Sequence, residues 1–249
     1  GRYLTTTDVG SSGRDMEYIK QETDYVVGLP TTTGGSGDTS IMTGLGIYMG
    51  MKACAKEAWG NDSLQGKTVA IQGFGKVATH MTHHLMKEDA RLVVTDVFDG
   101  ALDRARDLGL KIVKPDEIYG VDCDIFSPCA LGGVISPETI PQLKCKVVAG
   151  GANNQLLSDS DGEALHRLGI VYGPDYILNS GGIINVESEI YGGYNADRAR
   201  EKTERVYETM QQVISISKSQ EIPTAKAADH LAEARLASVR GIRRVYRKD

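Results

Sequence analysis

The sequence lacks the features that mark several classes of protein. No apolar run approaches the roughly 20 residues that a membrane-spanning helix needs, and the N-terminal Gly-Arg-Tyr-Leu-Thr-Thr-Thr-Asp contains no apolar signal-peptide core. The four cysteines (Cys54, Cys123, Cys129 and Cys145) form no Cys-x-x-Cys pair, so zinc ribbons and thioredoxin-like redox motifs have little support. The formal net charge of −5 argues against a nucleic-acid binder with a broad basic face. We therefore expect a reduced, cytoplasmic protein that contacts neither nucleic acid nor membrane.

Aromatic residues and proline are also scarce, whereas glycine is abundant. The 249 residues include 3 Phe, 1 Trp and 7 Pro but 29 Gly, with no internal repeat. Hydrophobic residues make up 41% and charged residues 24%, close to the average of globular proteins, which argues against wholesale disorder. So much glycine without a repeat indicates many tight turns at which the backbone approaches a ligand or another element.

Short apolar segments alternate with helical patterns through the first two thirds of the chain. Apolar spacing predicts helices over 42–59 (ending at Gly60), 77–87, 101–108 and 162–168. Strands are predicted over 68–72, 91–96, 111–114, 122–126, 146–149 and 169–172. This alternation predicts the α/β class, with a doubly wound parallel sheet covered by helices on both faces.

Two regions depart from this alternation. Residues 31–40 are rich in Thr, Gly and Ser, a composition shared by disordered linkers and by ordered loops near active sites. Residues 197–219 form one predicted amphipathic helix, and after Pro223 a second helix is predicted over 224–247. The basic residues near its end favour a solvated helix C-terminus over a nucleic-acid patch; they are Arg240, Arg243, Arg244, Arg247 and Lys248.

The most specific local motif is a glycine-rich turn of sequence Gly-Phe-Gly-Lys-Val-Ala, which begins at Gly73. It follows a predicted strand and begins a predicted helix, as the dinucleotide fingerprint G-x-G-x-x-G/A requires. Gly73 permits the tight turn, Gly75 lets the backbone approach a diphosphate, and Ala78 is small enough for close helix–strand packing. Lys76 and Val77 begin the helix, whose free N–H groups and partial positive charge favour phosphates. The turn therefore predicts a dinucleotide site.

Asp96 strengthens this interpretation. It ends the next predicted strand, 23 positions after Gly73, close to the ~20 expected for the acidic residue that binds the adenosine ribose. A carboxylate there accepts hydrogen bonds from the ribose hydroxyls and repels a 2′-phosphate, so the sequence favours NAD over NADP. The alternative is an aspartate that merely ends a strand.

Three histidines follow on the predicted helix after the turn. His80 and His84 are four residues apart and could share one face, as metal-ligating histidines do. No Glu stands between them and no third ligand is evident, so we expect no metal site. A hydrolytic triad also lacks support, because the sequence contains no Gly-x-Ser-x-Gly elbow.

Four further segments stand in the order typical of one enzyme family. They are Thr-Asp-Val-Gly from Thr7, Cys-Asp-Ile-Phe-Ser-Pro-Cys-Ala-Leu-Gly from Cys123, Ala-Gly-Gly-Ala-Asn-Asn-Gln from Ala149 and Pro-Asp-Tyr-Ile-Leu-Asn-Ser-Gly-Gly from Pro174. Along essentially its whole length the chain resembles the Glu/Leu/Phe/Val amino-acid dehydrogenases, and its leucine-specific members most. The resemblance implies a Rossmann-type fold, NAD as cofactor and a homo-oligomer. The implied reaction is oxidative deamination of a branched-chain L-amino acid to its 2-oxo acid and ammonia.

The resemblance also assigns roles to single residues. Asp8 matches the catalytic aspartate, and a carboxylate near the amine can accept and return a proton; on its own it could form an Asx turn before Gly10. Asn154 matches the asparagine between the nicotinamide ribose and the substrate. Thr43 matches a threonine that contacts the nicotinamide carboxamide, although by itself it is an ordinary helix-start residue.

Other matched residues complete the implied site. Ala130 and Leu131 lie in the segment that passes the cofactor ribose in relatives, and Asn179 lies in a loop near the same ring. The substrate pocket is expected to include Thr6, Asn154, Ile183 and Val186. Ile183 and Val186 would form an aliphatic wall, or alternatively plain core.

Two of these pocket residues depart from the leucine-specific pattern. Thr6 stands where such relatives usually carry Ala, and Ile183 stands where they usually carry the smaller Val. Each change narrows or polarises the pocket. One methylene is worth only ~1–3 kcal/mol of discrimination, so these changes shift substrate preference without redefining the reaction.

The family layout also predicts the domain organisation. It makes residues 1–27 a remnant of the substrate domain, residues 28–223 the NAD-binding domain, and residues 224–249 a helix returning to the substrate domain. The family's catalytic lysines are expected in a glycine-rich segment before Gly1, and Lys20 is interpreted as a helix-surface residue. We therefore expect a fragment of a longer chain, or a chain cleaved from one, that lacks the catalytic lysine.

Two alternatives to a branched-chain enzyme stay open at this point. One is a non-catalytic NAD-binding module, against which Asp8 counts because a binding module gains nothing from it. The other is an aromatic amino-acid dehydrogenase, since the phenylalanine and tryptophan enzymes share this layout.

Overall fold

The structure of the chain is a computed structural model that describes residues 3–8, 10–190 and 193–240. Within these ranges, no helix is long and apolar enough to cross a membrane. The first elements are a parallel bridge between Thr5 and Val26 and helix α1, Gly13–Lys20. Lys20 forms an exposed ion pair with Asp24 at 2.8 Å, so its prediction as a helix-surface residue is confirmed.

The polar segment 31–40 is an ordered loop. It contains one turn of 3-10 helix, Thr31–Thr33. The backbone N–H groups of Gly35 and Gly37 donate to the carbonyls of Pro30 and Leu29, at 3.1 and 2.9 Å. These bonds fold the segment back on itself, so it is not a disordered linker.

Parallel strands form the centre of the fold. They are β1 (Thr68–Gln72), β2 (Arg91–Thr95), β3 (Lys111–Ile112), β4 (Ile125–Pro128), β5 (Val147–Val148) and β6 (Val171–Tyr172). Among the described residues they build one six-stranded sheet in the order β3-β2-β1-β4-β5-β6. This order places the switch between β1 and β4, where doubly wound sheets bind ligands beyond the carboxyl ends of their strands.

Helices cover both faces of this sheet. They are α2 (Ser40–Trp59), α3 (Lys76–Lys87), α4 (Asp99–Asp107), α5 (Asp159–Arg167), α6 (Asp175–Leu178), α7 (Gly181–Ile190), α8 (Ala196–Glu204), α9 (Val206–Gln220) and α10 (Thr224–Arg240). Val69 and Ile71 of β1 pack into one core with α2, α3 and α9, whereas Ala70 faces a second core that includes α5. Alternate side chains of β1 therefore serve opposite cores, which confirms the predicted doubly wound α/β fold.

The predicted helix over 197–219 is wrong, because the chain forms two helices that meet at Arg205. The buried hydroxyl of Thr203 donates to the carbonyl of Ala199 at 2.8 Å, a back-bond that tends to bend helices. The break lets α8 pack against α7 while α9 packs against α2. The second helix is described as far as Arg240, the first of the basic residues named above. The rest of its predicted span and the other four basic residues lie outside the described residues.

The predicted strand over 122–126 is displaced, because β4 begins only at Ile125. Asp124 lies just before it, and its carboxylate accepts from the backbone N–H of Thr68 at 2.8 Å and from Lys67 Nζ at 3.2 Å. The carboxylate therefore ties the start of β4 to the start of β1. The predicted strands at β3, β5 and β6 are each shortened to two residues.

Candidate functional site

The glycine-rich turn lies between the carboxyl end of β1 and the start of α3. Gly73 has φ of 92°, a conformation that side chains disfavour, and its N–H donates to the carbonyl of Thr95 at 2.8 Å. A Cβ on Gly73 would lie 2.7 Å from the Cβ of Ala130. Glycine is therefore required both by the backbone conformation and by the close approach of the Ala130 loop.

The N-terminus of α3 is open to a ligand. Gly75 is its exposed N-cap residue, and a Cβ there would meet nothing within 4 Å. No side chain of the described residues caps this helix end, which leaves the N–H groups of its first turn, including Lys76 and Val77, available to an anion. Ala78 is buried against the sheet. The turn thus fits a diphosphate, as the sequence predicts.

Both carboxylate oxygens of Asp96 accept backbone hydrogen bonds, and one of these bonds holds the glycine-rich turn. Its Oδ2 accepts from the backbone N–H of Phe74 at 2.6 Å, and its Oδ1 accepts from the N–H of Phe98 at 2.9 Å. Each carboxylate oxygen keeps a further lone pair for a ribose hydroxyl. Val97 and Phe98 follow with 76% and 73% exposure, an apolar shelf beside this position. The local chemistry fits an adenosine with free hydroxyls.

Lys76 adds a positive charge at the same helix end. Its Nζ lies 3.7 Å from Oδ2 of Asp38, and the lysine side chain is 75% exposed. Burial alone would raise the pKa of Asp38, but hydrogen bonds from the hydroxyl and N–H of Ser40, together with the charges of Lys76 and His80, lower it. An ionised Asp38 therefore competes with the expected phosphates for the positive charge of Lys76.

The loop after β5 continues the site along the carboxyl edge of the sheet. Asn154 is exposed, has φ of 52°, and donates its backbone N–H to Asp175 Oδ2 at 2.6 Å. Its carbonyl accepts from the N–H of Gly133 at 2.7 Å. Asp175 thereby holds Asn154 in the left-handed conformation and leaves its side chain at the surface.

The two loops that carry the remaining predicted cofactor residues are joined through α6 and α7. Asn179 Nδ2 donates to Asn153 Oδ1 at 2.6 Å and more weakly to the carbonyl of Gly151 at 3.3 Å. A Cβ on Gly182 would lie 2.7 Å from the hydroxyl of Thr43, so the start of α7 packs directly on the start of α2. Leu131 is 78% exposed at the rim of the same edge.

The segment with Thr6 and Asp8 pairs with the strand-like stretch that ends at Gly28. The N–H of Thr5 donates to the carbonyl of Tyr25 at 3.0 Å, and the N–H of Val27 donates to the carbonyl of Thr5 at 2.9 Å. Asp8 is exposed, and its backbone forms a turn with Ser11, whose hydroxyl accepts from the Asp8 N–H and donates to its carbonyl, both at 2.8 Å. These bonds with Ser11 form part of the turn that follows Asp8.

The two predicted aliphatic pocket residues both lie on helix α7 but differ in their exposure. Val186 is 3% exposed and belongs to the interior, whereas Ile183 is 64% exposed. Val186 is therefore a core residue, which is the alternative that the sequence leaves open, whereas Ile183 is not in the core. Of this pair, only Ile183 presents its side chain to solvent.

Glu189, on the same helix, connects the pocket to the N-terminal segment. Its Oε1 accepts from the backbone N–H groups of Gly28 at 2.8 Å and Ser36 at 2.7 Å. Asn185 adds a bond from its Nδ2 to the carbonyl of Ser36 at 3.1 Å. Together these side chains connect α7 to Gly28 and Ser36, which lie on either side of the Thr31–Thr33 turn.

Several of these residues escaped the sequence-based prediction. Asp38, Asp175 and Glu189 contact groups that are distant in sequence. Asp175 lies in a segment that carries the family resemblance, but nothing in that segment marks its bond to Asn154. Only the apolar pair Val97–Phe98 gives a sequence signal, because two apolar residues follow directly after the predicted ribose carboxylate. Within the described ranges, no group of three His, Cys, Asp or Glu residues could hold a metal ion.

A separate cleft lies between α2 and α9. It has a volume of about 510 Å³ and is lined by Lys56, Glu57 and Lys218 among others. Lys218 Nζ pairs with Glu57 at 3.0 Å. None of the predicted site residues lines this cleft, so the carboxyl edge of the sheet remains the candidate site.

Comparisons with known proteins agree with this architecture. The model of the Glutamate/Leucine/Phenylalanine/Valine dehydrogenase family matches residues 34–114 and 99–248. A leucine dehydrogenase of Bacillus cereus is 52% identical over 247 residues, which cover 99% of this chain and 67% of that protein. A phenylalanine dehydrogenase of Caldalkalibacillus thermarum is 40% identical over 242 residues, covering 95% of this chain and 65% of that protein.

A solved structure matches almost the whole fold. The crystal structure of L-tryptophan dehydrogenase from Nostoc punctiforme superposes with a TM-score of 0.83 at 38% identity, covering 96% of this chain and 69% of that one. The chain thus spans about two thirds of the length of the relatives it matches. The family match, the 52% identity and the dinucleotide turn lead to one conclusion: this chain belongs to the glutamate/leucine/phenylalanine/valine dehydrogenase family.

Proposed function

We propose that this chain forms the NAD-binding and part of the substrate-binding machinery of an L-amino-acid dehydrogenase that deaminates its substrate to a 2-oxo acid and ammonia. The observation that carries the proposal is the placement of Asp96 against the glycine-rich turn, with the Asn154 and Asn179 loops on the same edge of the sheet. The 52% identity to a leucine dehydrogenase supports the reaction class.

The residues of this chain divide the work as follows. The first turn of α3 binds the diphosphate, and Asp96 accepts hydrogen bonds from the ribose hydroxyls, which favours NAD over NADP. A bound nicotinamide would supply the hydride acceptor for the amino-acid Cα. Thr43 and Asn179 orient its ring, and Ala130 and Leu131 line the ribose.

The proton transfers take place at the substrate end of the site, which comprises the Asp8 segment, the loop at Ser36 and helix α7. The carboxylate of Asp8 accepts a proton from the substrate amine and returns it in a later step, because a general base must be ionised and close to the group that it serves. Asn154 lies at the edge between cofactor and substrate and orients both. Imine hydrolysis also needs the family's lysines, which the resemblance places before residue 1.

For the substrate we propose a branched-chain amino acid. Ile183 supplies an exposed aliphatic surface, whereas Val186 is buried in the interior. Thr6 stays a predicted pocket residue. An aromatic substrate is the second candidate, because relatives that are named phenylalanine and L-tryptophan dehydrogenase share about 40% identity with this chain.

The wider context is part of the same proposal. We propose that residues 1–27 and 224–249 contribute to a substrate domain and residues 28–223 form the cofactor domain. A homo-oligomer in the cytoplasm fits an enzyme of this class. Light scattering of the purified protein tests the assembly.

The function is tested with the purified chain. Isothermal titration with NADH and NADPH should show preferential binding of NADH. The chain is then assayed with NAD and L-leucine, L-valine or L-phenylalanine, alone and together with the N-terminal segment of a leucine dehydrogenase. We expect NADH binding in both cases and oxidation only in the second, because the lysines come from that segment. Absence of any dinucleotide binding contradicts the proposal. Strong activity of the chain alone would mean that the catalytic lysine lies within residues 1–249. Lys20 would then be the first residue to replace by mutation.

A further inference from the structure

One residue of the glycine-rich turn is held from two sides by opposite charges. Asp96 Oδ2 accepts from the backbone N–H of Phe74 at 2.6 Å. Arg104, on α4, donates from Nη2 to the carbonyl of the same Phe74 at 3.0 Å and from Nη1 to the carbonyl of Gly100 at 2.9 Å. Carboxylate and guanidinium therefore lie on either side of a single residue of the turn.

The guanidinium has capacity beyond these two bonds. Arginine carries five N–H donors, and the two carbonyls occupy two of them. Arg104 is an exposed residue, so its remaining donors face solvent beside the turn. A planar cation with free donors is the group best suited to a phosphate.

The acidic residues near Arg104 differ in the groups that they contact. Asp103 pairs with Arg106 on the outer side of α4, and Asp99 lies in the first turn of the helix. Asp96 alone among these acids contacts the turn itself. Its negative charge stands where the adenosine ribose is expected, so it repels a 2′-phosphate before Arg104 can bind it.

From this arrangement we propose that Arg104 is a latent binding residue for the 2′-phosphate of NADP, and that the charge of Asp96 masks it. The inference rests on the proposed function, namely that the turn binds a nicotinamide dinucleotide. It assigns the preference for NAD to the balance of two charges on one turn. When the charge of Asp96 is removed, the guanidinium of Arg104, which already lies beside the turn, can bind the 2′-phosphate.

The test is a cycle of variants measured by binding alone. Asp96→Asn removes the charge but retains an acceptor oxygen for the turn, and Arg104→Gln removes the cation. Each single variant, the double variant and the wild type are titrated with NADH, NADPH and 2′-AMP by isothermal titration. Arg106→Gln, which removes a cation from the same helix, is the matched control, and circular dichroism checks the fold of each protein.

We expect Asp96→Asn to bind NADPH and 2′-AMP about tenfold more tightly than the wild type, the scale of one charge-assisted hydrogen bond. Adding Arg104→Gln should abolish this gain and change the affinity for NADH by less. Arg104→Lys in the Asp96→Asn background should retain part of the gain, and Arg106→Gln should retain all of it. The NADPH affinity of Asp96→Asn should also fall more steeply with salt than its NADH affinity.

Three results overturn the inference. The first is a gain in NADPH affinity that persists without Arg104. The second is an equal loss of NADH and NADPH on Arg104→Gln, which makes Arg104 only a brace for the turn. The third is the absence of any gain in Asp96→Asn. A wild type that binds neither dinucleotide refutes the proposed function itself, and that result is visible before any variant is made.

Discussion

The two ends of the candidate site are built in different ways. At the dinucleotide end, β1, the turn and β2 follow one another in sequence. The N–H of Gly73 bonds to the carbonyl of Thr95, and the N–H of Phe74 bonds to the carboxylate of Asp96. At the substrate end, helix α7 bonds through Glu189 and Asn185 to Gly28, which lies beside the Asp8 segment, and to Ser36, from a distant part of the chain. Local sequence therefore encodes the first end, whereas long-range contacts assemble the second.

The largest expected effect concerns chemistry at the substrate end. With the N-terminal segment of a relative supplied, Asp8→Asn should lower kcat by about 10²–10⁴-fold, because asparagine cannot accept a proton at neutral pH. Steady-state kinetics measure the loss, and titration with NADH should show little change. Near-normal turnover would falsify the proton-transfer role and leave Asp8 as a turn residue.

The assembly of that end depends on Glu189. Glu189→Ala should lower the free energy of unfolding by about 1–3 kcal/mol, because the N–H groups of Gly28 and Ser36 lose their common acceptor. Urea unfolding measures this change. Glu189→Gln keeps an acceptor oxygen and should recover most of the stability.

A neighbouring acid on α7 provides the control for this effect. Glu187 pairs with Lys202 at 2.8 Å, and both side chains are 41% exposed. Its replacement by Ala should cost about 1 kcal/mol or less, as for other exposed ion pairs. Equal costs at Glu187 and Glu189 would show that the two backbone bonds do not hold the substrate end together.

At the dinucleotide end, Asp96→Ser should weaken NADH binding by about tenfold and improve NADPH binding. The variant loses the acceptor for the ribose hydroxyls and the charge that repels a 2′-phosphate. Titration with both cofactors tests this, with Asp99→Ser as a control that removes a nearby acid. An equal loss for both cofactors would mean that Asp96 serves the turn and does not meet the ribose.

The smallest effect is expected from the exposed ion pair at the start of α3. Lys76→Gln should weaken NADH binding by about two- to fivefold, and Asp38→Asn should strengthen it by a similar factor. Asn can still cap Ser40, so only the competing charge is removed. If Asp38→Asn leaves the affinity unchanged in low salt, the carboxylate does not compete with the diphosphate for Lys76.

The same division explains which predictions the structure bears out. The helix ending at Gly60, the strand over 68–72 and the turn after it follow from apolar spacing and glycine chemistry, and the structure contains each of them. The single helix predicted over 197–219 fails because both halves pack on α2 but the first also packs on α7 and the second on α10. A local pattern contains no information about such partners. The predicted strand over 122–126 begins too early for a similar reason, since Asp124 bonds to Thr68 on a neighbouring strand.

The sequence by itself determined the class of the fold, the glycine-rich turn and the family, whereas the role of Asp96 at the ribose stays a prediction. Each of these depends on residue types at short spacings, where backbone conformation and helix or strand periodicity leave few alternatives. Only the tertiary structure showed that Asp96 and Arg104 hold opposite sides of Phe74, that Glu189 connects α7 to Gly28 and Ser36, and that Ile183 is exposed while Val186 is buried. These facts depend on which distant elements pack together, because a side chain's partners and its exposure are set by the whole fold.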